Sequence, residues 1–567
     1  MRRTKAIYYL AVSILYFVAG VKTAWAQVNI SDSEARLLTE KTLLITDRET
    51  YCANEEILFS AMNISEHKLH NYAWSNVLYV QLLTPDGEVI VQTKFDYNET
   101  ASGALPIPKW TLTGNYYLRA YTRWMRNFPV ETHFFKMVRI INPFRDELLE
   151  PRSENVVSEG MLIGTQPEIT GISVQMDRKQ LKKRQQLEVK LQLDNWEDYR
   201  DELVVSVIRK GTEKPLNPKL SGTSQWLFSN DFIAETRGVS MSGQVINEPD
   251  SLPLPYTLVG LTIFKENPEN LNMLTDENGR FYFDLSKLTG TYELFISAKA
   301  KQEAHQPLIL VDNDFSSGEL DLPFVTMNLS ESTRPLYESL SFTSQLQDLY
   351  RDQVQVSTAE AIPLNAAFYG DPDFSLNLDE YITLPSVSEY IHELIPRVRV
   401  KNEQGKRKLA VVGLHPELDI YAPLVMIDMV SVFDVEPVLE LDPEKLERIE
   451  VVVNPYVRGN ITYGGIISFF SRKGDLAGID LPSVGRFISY SMLSEDQGKT
   501  PTTQLPVSRI PDLRNCIYWN SSLQLDDSGF ARLEFNTGDN TGEYLIVVRA
   551  VNEKGEVQVK TVEIRID

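Results

Sequence analysis

The chain has 567 residues, of which 43% are hydrophobic and 24% are charged, and an excess of acidic over basic residues gives it a net charge of −22. The apolar content is sufficient for packed cores and argues against a disordered chain, and at about 100–200 residues per domain the length predicts several domains. The acidic balance argues against a nucleic-acid partner, because binding to a phosphate backbone depends on Lys and Arg.

The first 26 residues have the pattern of a secretory signal peptide. Basic residues precede the apolar run Ile7–Val21, and Ala24–Ala26 is a small-x-small cleavage site. The alternative, an uncleaved membrane anchor, is disfavoured because this 15-residue run is shorter than the about 20 residues that span a bilayer. No Cys near the cleavage site could carry a lipid. We therefore expect an exported protein that starts at Gln27 and is periplasmic or peripherally associated with the outer membrane.

Residues 27–143 alternate short strand patterns with turn signals such as Thr84–Gly87, which is typical of a β-sandwich. Thr46–Arg48, Gly114 and Leu118–Thr122 match the opening and closing strands of a macroglobulin-like (MG2-type) domain. This region resembles that domain of the α2-macroglobulin family, and the resemblance implies a first sandwich at 27–143 followed by a linker at 144–166.

Aromatic residues are concentrated in the same region. They are Trp110, Tyr116, Tyr117, Tyr121 and Trp124. Such rings could stack on a glycan if they were exposed together. Alternation along the strands instead predicts that most of them belong to the core.

A second macroglobulin-like sandwich is predicted at 167–235, where Leu187, Val189, Leu191 and Leu193 alternate strictly with polar residues. Its resemblance to the family lies in this strand pattern.

Residues 236–315 predict a third sandwich. The segment Thr275–Phe283 contains Asn278-Gly279, the dipeptide favoured in tight hairpin turns. With the strand near Gly243 it resembles the regulatory-like domain of carboxypeptidases. An irregular linker at 316–378 follows, with one helix predicted at Ser344–Val354.

Residues 379–475 predict a small α/β unit. Ser386 is a candidate N-cap for a short helix that ends at Leu394, and Asp442-Pro443 starts a helical turn. The strands Ile449–Val453 and Ile466–Phe470 follow.

This unit resembles the plug domain of TonB-dependent outer-membrane receptors. Besides those elements, Tyr463-Gly464-Gly465 forms a turn between strands, and Pro423–Val432 is similar to the plug motif PLVLIDGVPV. Met429 replaces the glycine of that motif, which leaves the geometry of the local turn open.

The plug resemblance implies a docking role without transport. A receptor barrel of about 22 strands would follow a plug, and only 93 residues remain after Gly474. We expect the unit to contact an outer-membrane barrel protein or envelope complex. The expected docking residues are Asp428, Tyr456, Tyr463, Gly464 and Gly465.

A linker at 476–510 and a C-terminal β-sandwich at 511–567 complete the predicted domains. In the last unit, Asp512–Asn520, Asp526–Gly529 and Gly542–Tyr544 are followed by a strand at Leu545–Ala550. This form resembles the sandwich that precedes the thioester domain in α2-macroglobulin-like chains. The order of the resemblances is similar to that of Bacteroidetes-type envelope proteins. The predicted fold class is mainly β, with tandem β-sandwich (macroglobulin/Ig-like) domains and one small α/β plug-like domain.

No catalytic, cofactor-binding or metal-binding motif is found in the sequence. Neither Cys52 nor Cys516 lies in the CxEQ arrangement of a thioester, so covalent protease trapping is not expected. None of the six histidines lies in HExxH. The two cysteines are expected to be buried free thiols, with a disulfide as the alternative. The predicted function is a non-enzymatic scaffold, and the alternative is a glycan- or peptide-binding module.

Overall fold

A computed structural model describes residues 39–65, 75–152, 156–158, 171–216, 228–229, 231–266, 268–285, 287–302, 304–317, 320, 322–327, 331, 333–351, 368–403, 405–413, 420–458, 461–479, 485–498 and 511–567. Strands account for 49% of the described residues and helices for 11%, which confirms the predicted fold class. The predicted signal peptide at 1–26 lies outside the described residues.

The first sandwich packs a three-stranded sheet on a five-stranded sheet. Its strands are β1 (Thr42–Thr46), β2 (Thr50–Cys52), β3 (Glu56–Asn63), β4 (Val77–Leu83), β5 (Val89–Asp96), β6 (Thr100–Pro106), β7 (Gly114–Tyr121) and β8 (Phe134–Ile141). The sheet orders are β1-β3-β6 and β2-β8-β7-β4-β5. Residues such as Phe59, Leu82 and Tyr116 fill the space between the sheets.

The next segment contributes half of a second sandwich. Its strands are β9 (Val156–Ser158), β10 (Ile172–Met176), β11 (Gln180–Leu181), β12 (Gln186–Leu193) and β13 (Tyr199–Arg209). Leu187, Val189, Leu191 and Leu193 are all buried, as their alternation predicts. Strands β10 to β13 are not sufficient for a sandwich, and their missing neighbours come from the end of the chain.

The third sandwich has its core at Val259, Leu261, Phe281 and Leu294. Its strands are β14 (Ser240–Asn247), β15 (Leu258–Phe264), β16 (Glu269–Leu274), β17 (Arg280–Asp284), β18 (Thr291–Lys299) and β19 (Pro307–Val311), and β20 (Phe324–Thr326) and helix α1 (Arg334–Arg351) follow it. Gly279 adopts φ +70° in the turn between β16 and β17. The hairpin predicted there is wrong, because β16 pairs with β15 and β17 with β14 in two different sheets.

The α/β unit comes next. Its elements are β21 (Phe374–Asn377), α2 (Val387–Leu394), β22 (Val398–Glu403), β23 (Lys406–Val411), β24 (Leu424–Ile427), β25 (Val430–Ser431), α3 (Glu436–Leu439), β26 (Leu446–Val452), β27 (Tyr456–Arg458), β28 (Ile461–Tyr463) and β29 (Ile466–Ser471). A five-stranded sheet of order β21-β26-β29-β24-β25 carries α2, α3 and the β22–β23 hairpin on one face, and the β27–β28 hairpin lies over the other.

The predicted linker 476–510 contains a strand of the third sandwich. Strand β30 (Arg486–Ser491) pairs antiparallel with β18, so that Phe487 lies opposite Phe295. The third sandwich therefore consists of the sheets β17-β14-β19 and β16-β15-β18-β30.

The last four strands complete the second sandwich, which we call the composite sandwich. They are β31 (Cys516–Gln524), β32 (Phe530–Asn536), β33 (Gly542–Asn552) and β34 (Val557–Ile566). Strand β13 lies between β31 and β33, and β12 pairs with β32.

This pairing corrects the predicted division into separate sandwiches at 167–235 and 511–567. Their strands share sheets and one core, in which Val205 and Val207 pack with Ile546 and Val548. Neither segment contains enough strands to cover its own apolar face.

Candidate docking surface of the α/β unit

The expected docking residues lie at two different ends of the α/β sheet. Strand β24 runs between them, with Leu424 N–H donating to Gly465 O at one end and Asp428 N–H donating to Phe469 O at the other, both at 2.9 Å. We call these the glycine end and the aspartate end.

The glycine end is a turn that leaves no room for side chains. A Cβ on Gly464 would lie 2.2 Å from the backbone oxygen of Tyr421, and one on Gly465 would lie 2.6 Å from that of Val452. Gly465 has φ +136°, a backbone conformation that side-chain-bearing residues rarely adopt. Only glycine combines this backbone with such close approaches.

Three apolar side chains on the chain segments next to this turn are exposed. Val412, Ile420 and Tyr421 are 39%, 80% and 40% exposed. Gly464 contacts Tyr421, and Gly465 contacts Val411, the neighbour of Val412. We call the three residues the apolar surface, because exposed apolar groups on neighbouring segments mark a candidate interaction site.

Tyr456 and Tyr463 lie on the β27–β28 hairpin, next to the glycine end. They face each other across the β27–β28 hairpin, and Tyr463 packs on Leu424, Met426 and Ile466. Burial raises the pKa of Tyr463, whose hydroxyl has no hydrogen-bond partner among the described residues. These rings therefore hold the hairpin on the sheet.

Asp428 has an internal role at the aspartate end. Its Oδ1 accepts from Ser471 N–H at 2.7 Å, and its Oδ2 accepts from Ser471 Oγ–H at 2.5 Å and from Leu476 N–H at 2.8 Å. The structure thus separates Asp428 from the other four expected docking residues.

A two-residue turn forms at Asp428-Met429, although Met429 replaces the glycine of the motif. Asp428 and Met429 adopt φ +45° and +68°, the positive values of a primed two-residue turn. Met429 is buried, and its carbonyl accepts from Thr262 Oγ1–H at 3.2 Å and Asn270 Nδ2–H at 3.0 Å. Contacts with the third sandwich therefore offset the strain of a non-glycine residue here.

The third sandwich covers the aspartate end and leaves the apolar surface exposed. Ser431 Oγ lies 3.1 Å from Asn272 Oδ1, and Lys299 Nζ donates to Phe433 O at 2.6 Å. This contact fixes the direction in which the α/β unit presents its glycine end.

The first sandwich does not assemble an aromatic platform for a glycan. Tyr116, Tyr117 and Tyr121 are fully buried, as strand alternation predicts, and of the five rings Trp110 is the most exposed, at 54%. Buried rings cannot stack on a sugar.

The cysteines do not form a reactive site. Cys52 and Cys516 are buried free thiols, and burial raises the pKa of each thiol well above its ordinary value. A protonated thiol is a poor nucleophile. The part of the chain that the structure describes contains no group of three potential metal ligands, and His67, His70 and His415 lie outside it.

No described helix is both long and apolar enough to cross a bilayer. Sequence reasoning did not identify the apolar surface. Its one signal was Ile420-Tyr421, an apolar pair in a polar segment just before β24.

No protein-family model matches the chain, and no curated protein matches its sequence. Among solved structures, Salmonella alpha-2-macroglobulin reacted with methylamine is 9% identical with a TM-score of 0.22, over 93% of this chain and 39% of that one. Trypsin-activated alpha-2-macroglobulin from Escherichia coli is 10% identical with a TM-score of 0.22, over 95% and 42%. The adhesin InvE of Yersinia pseudotuberculosis is 13% identical with a TM-score of 0.13, over 52% and 65%.

This chain covers less than half of the length of either alpha-2-macroglobulin structure. Scores of this size establish no common function, so the function of this chain is inferred from its own surfaces. The macroglobulin, carboxypeptidase-regulatory and plug resemblances stay predictions.

Proposed function

We propose that the chain is a non-enzymatic, exported scaffold whose α/β unit binds an outer-membrane barrel protein through the apolar surface. The supporting observation is the exposure of Val412, Ile420 and Tyr421 beside the Gly464–Gly465 turn, at the end that the third sandwich leaves uncovered. Full burial of an exposed Ile or Val side chain contributes about 1.5–3 kcal/mol, and Tyr is enriched among the residues that dominate interfaces. Val412, Ile420 and Tyr421 together therefore form a credible centre for a docking site.

The rest of the chain acts as a rigid support in this proposal. The third sandwich holds the aspartate end, and the first sandwich holds the third through buried polar contacts, such as Arg123 Nη1–H to Ser240 O at 3.1 Å and Arg126 Nη1–H to Asp314 O at 2.6 Å. A site built on rigid elements loses less conformational entropy when it binds.

Cell fractionation with matched variants tests the proposal. Ile420→Ser combined with Tyr421→Ser removes apolar area from the proposed site, and Phe342→Ser combined with Leu349→Ser does the same on helix α1, where these side chains are 67% and 73% exposed. We expect the first pair to release the protein from the outer-membrane fraction and the second pair to leave it there. Equal retention of both variants contradicts the proposal.

Point variants are preferable to deletion of the unit. Removing residues 379–475 would also uncover Thr262, Asn270 and Asn272, which are buried against the unit. A loss of retention after deletion could then come from damage to the third sandwich.

A further inference from the structure

The β22–β23 hairpin of the α/β unit has one strongly basic face. In its register Arg399 lies opposite Ala410, Lys401 opposite Lys408, and Glu403 opposite Lys406. Side chains of directly opposed residues point to the same face of a sheet. The exposed charged side chains on this face are Arg399, Lys401, Lys406, Lys408 and Glu403. We call this surface the basic face.

The other face of the hairpin points into the unit, and its positive charge is neutralised by acidic residues. Val398, Leu409 and Val411 pack in the core of the unit. Arg407 on this side donates from Nε to Glu436 Oε2 at 2.7 Å and from Nη2 to Glu440 Oε1 at 3.0 Å. The inward Arg407 is thus paired with Glu436 and Glu440. The excess of positive charge on the hairpin lies on the basic face.

The charges on the basic face do not balance. Glu403 accepts from Lys408 Nζ at 2.8 Å, and it is the single acidic group among four basic ones on this face. Lys401 and Lys408 are directly opposed, and like charges in that position destabilise a strand pair. An anionic partner would relieve this repulsion.

The local field of the hairpin persists although the whole chain is acidic. At physiological ionic strength the Debye length is about 8 Å, whereas six residues of strand extend about 20 Å. Acidic groups that lie more than about one Debye length from the hairpin are therefore largely screened and subtract little from its positive potential. The exposed Val412, directly after β23, places an apolar side chain at the base of the same hairpin.

We propose that the basic face binds the phosphate headgroups of anionic lipids at a membrane surface. This inference rests on the proposed function, which places the α/β unit at the outer membrane. The face is an open ribbon with three lysines, whose compact charges suit many dispersed phosphates rather than one shaped acidic partner. An acidic protein as the partner is the competing outcome of the test.

The test uses the purified mature protein and sedimentation with vesicles. One vesicle population is phosphatidylcholine alone, and the other is an equimolar mixture with phosphatidylglycerol. Lys401→Gln with Lys408→Gln removes two charges from the basic face. Lys183→Gln with Lys554→Gln removes two exposed charges from the composite sandwich and serves as the matched control.

We expect binding to the anionic vesicles only, weakened about 30-fold by Lys401→Gln with Lys408→Gln, since each basic residue near the surface contributes about fivefold. The control pair should bind like the unaltered protein. Sodium phosphate should displace the protein no better than sodium chloride of equal ionic strength.

Absence of binding to anionic vesicles, or equal weakening in the control, overturns the proposal, and the first result would favour an acidic protein partner. Preferential displacement by phosphate would indicate a site for the free ion and also overturns it. The vesicles contain no barrel protein, so this test and the retention test can fail independently.

Discussion

Asn515 donates a hydrogen bond from Nδ2 to Oε1 of Glu55 at 2.7 Å, although 460 positions separate the two residues. The other carboxylate oxygen of Glu55 accepts from Arg48 Nη2 at 2.8 Å and from Cys52 N–H at 2.7 Å. Asn515 directly precedes β31. The first sandwich is thereby joined to the C-terminal half of the composite sandwich, and the chain closes on itself.

Removal of residues 511–567 should unfold the composite sandwich. Strand β13 would lose both neighbours, β31 and β33, and β12 would lose β32, which exposes the apolar faces that these strands now cover. We expect limited proteolysis to cleave the truncated chain within 172–209 and to spare this region in the full chain. Protection of 172–209 in the truncated chain would show that it folds alone and would contradict the composite sandwich.

Lys94→Met should strongly destabilise the contact between the first and third sandwiches. Lys94 is 1% exposed, and its Nζ lies 2.6 Å from Asp314 Oδ2 and 2.8 Å from Ser491 O. Without Lys94, the nearest cation to Asp314 is Arg123, whose Nη1 lies 3.8 Å from Asp314 Oδ1. Breaking a buried pair costs about 3–5 kcal/mol, and we expect a loss at the lower end of that range. Urea unfolding measures this loss.

Lys109→Met is the matched control for Lys94→Met. Lys109 pairs with Asp348 at 2.7 Å, but its side chain is exposed, and an exposed pair contributes about 1 kcal/mol or less. Adding Asp314→Asn to Lys94→Met should recover part of the lost stability. Equal losses for the two lysine variants would argue against a buried pair.

Gly464→Ala should destabilise the α/β unit, because its Cβ would lie 2.2 Å from Tyr421 O. We expect a loss of about 2–4 kcal/mol, measured as faster hydrogen exchange in β24 and β29. At Gly474, with φ +63° and nothing within 4 Å of an added Cβ, the same change should cost about 1–2 kcal/mol, the penalty of the left-handed backbone. If Gly474→Ala is the more damaging variant, the packing described at the glycine end is incorrect.

Acidification should destabilise the protein through His133. Its Nδ1 accepts from Arg119 Nε–H at 3.0 Å, and its ring stacks on Tyr121. Burial lowers the pKa of His133 well below its ordinary value, and the positive charge of Arg119 lowers it further. The unfolded chain binds this proton near pH 6.5 while the folded chain does not, so stability is lost as the pH falls below about 6.5.

His133→Gln isolates this effect, because a Gln oxygen can accept from Arg119 without titrating. Burial raises the pKa of Glu40 and Glu235, so these groups stabilise the fold as the pH falls. They do so equally in the unaltered protein and in the variant, and their effect cancels in the comparison. Between about pH 7 and about pH 5 the unaltered protein should lose roughly 2 kcal/mol more than the variant, as measured by urea unfolding. Parallel pH profiles would refute the role of His133.

Local features of the fold were predictable from sequence because each depends on a few adjacent residues. Ser386 Oγ accepts from Glu389 N–H at 3.3 Å as an N-cap, and Asp442 Oδ1 accepts from Glu444 N–H at 3.0 Å. Helix α1 was predicted at Ser344–Val354 and begins earlier, at Arg334; it is described as far as Arg351, and positions 352–354 of the prediction lie outside the described residues. Pro335 lies in the first turn at this earlier start, where a proline is well accommodated.

The composite sandwich was not predictable because alternation shows which side chains are buried but not which strand lies alongside. Strands β13 and β33 pair, although the residues of the third sandwich and of the α/β unit lie between them in the sequence. The candidate site shows the same limit. The Gly464–Gly465 turn could be read from two adjacent residues, whereas the exposure of Ile420 and Tyr421 depends on which distant units pack over them.

Site-specific photo-crosslinking in intact cells tests the central claim most directly. A photoreactive residue at position 420 samples the apolar surface, and one at position 349, on the exposed side of α1, serves as the control. The account predicts a product from position 420 alone that contains an outer-membrane protein with the heat-modifiable migration of a β-barrel. Products from both positions, or a product from position 420 that contains no barrel protein, would contradict it.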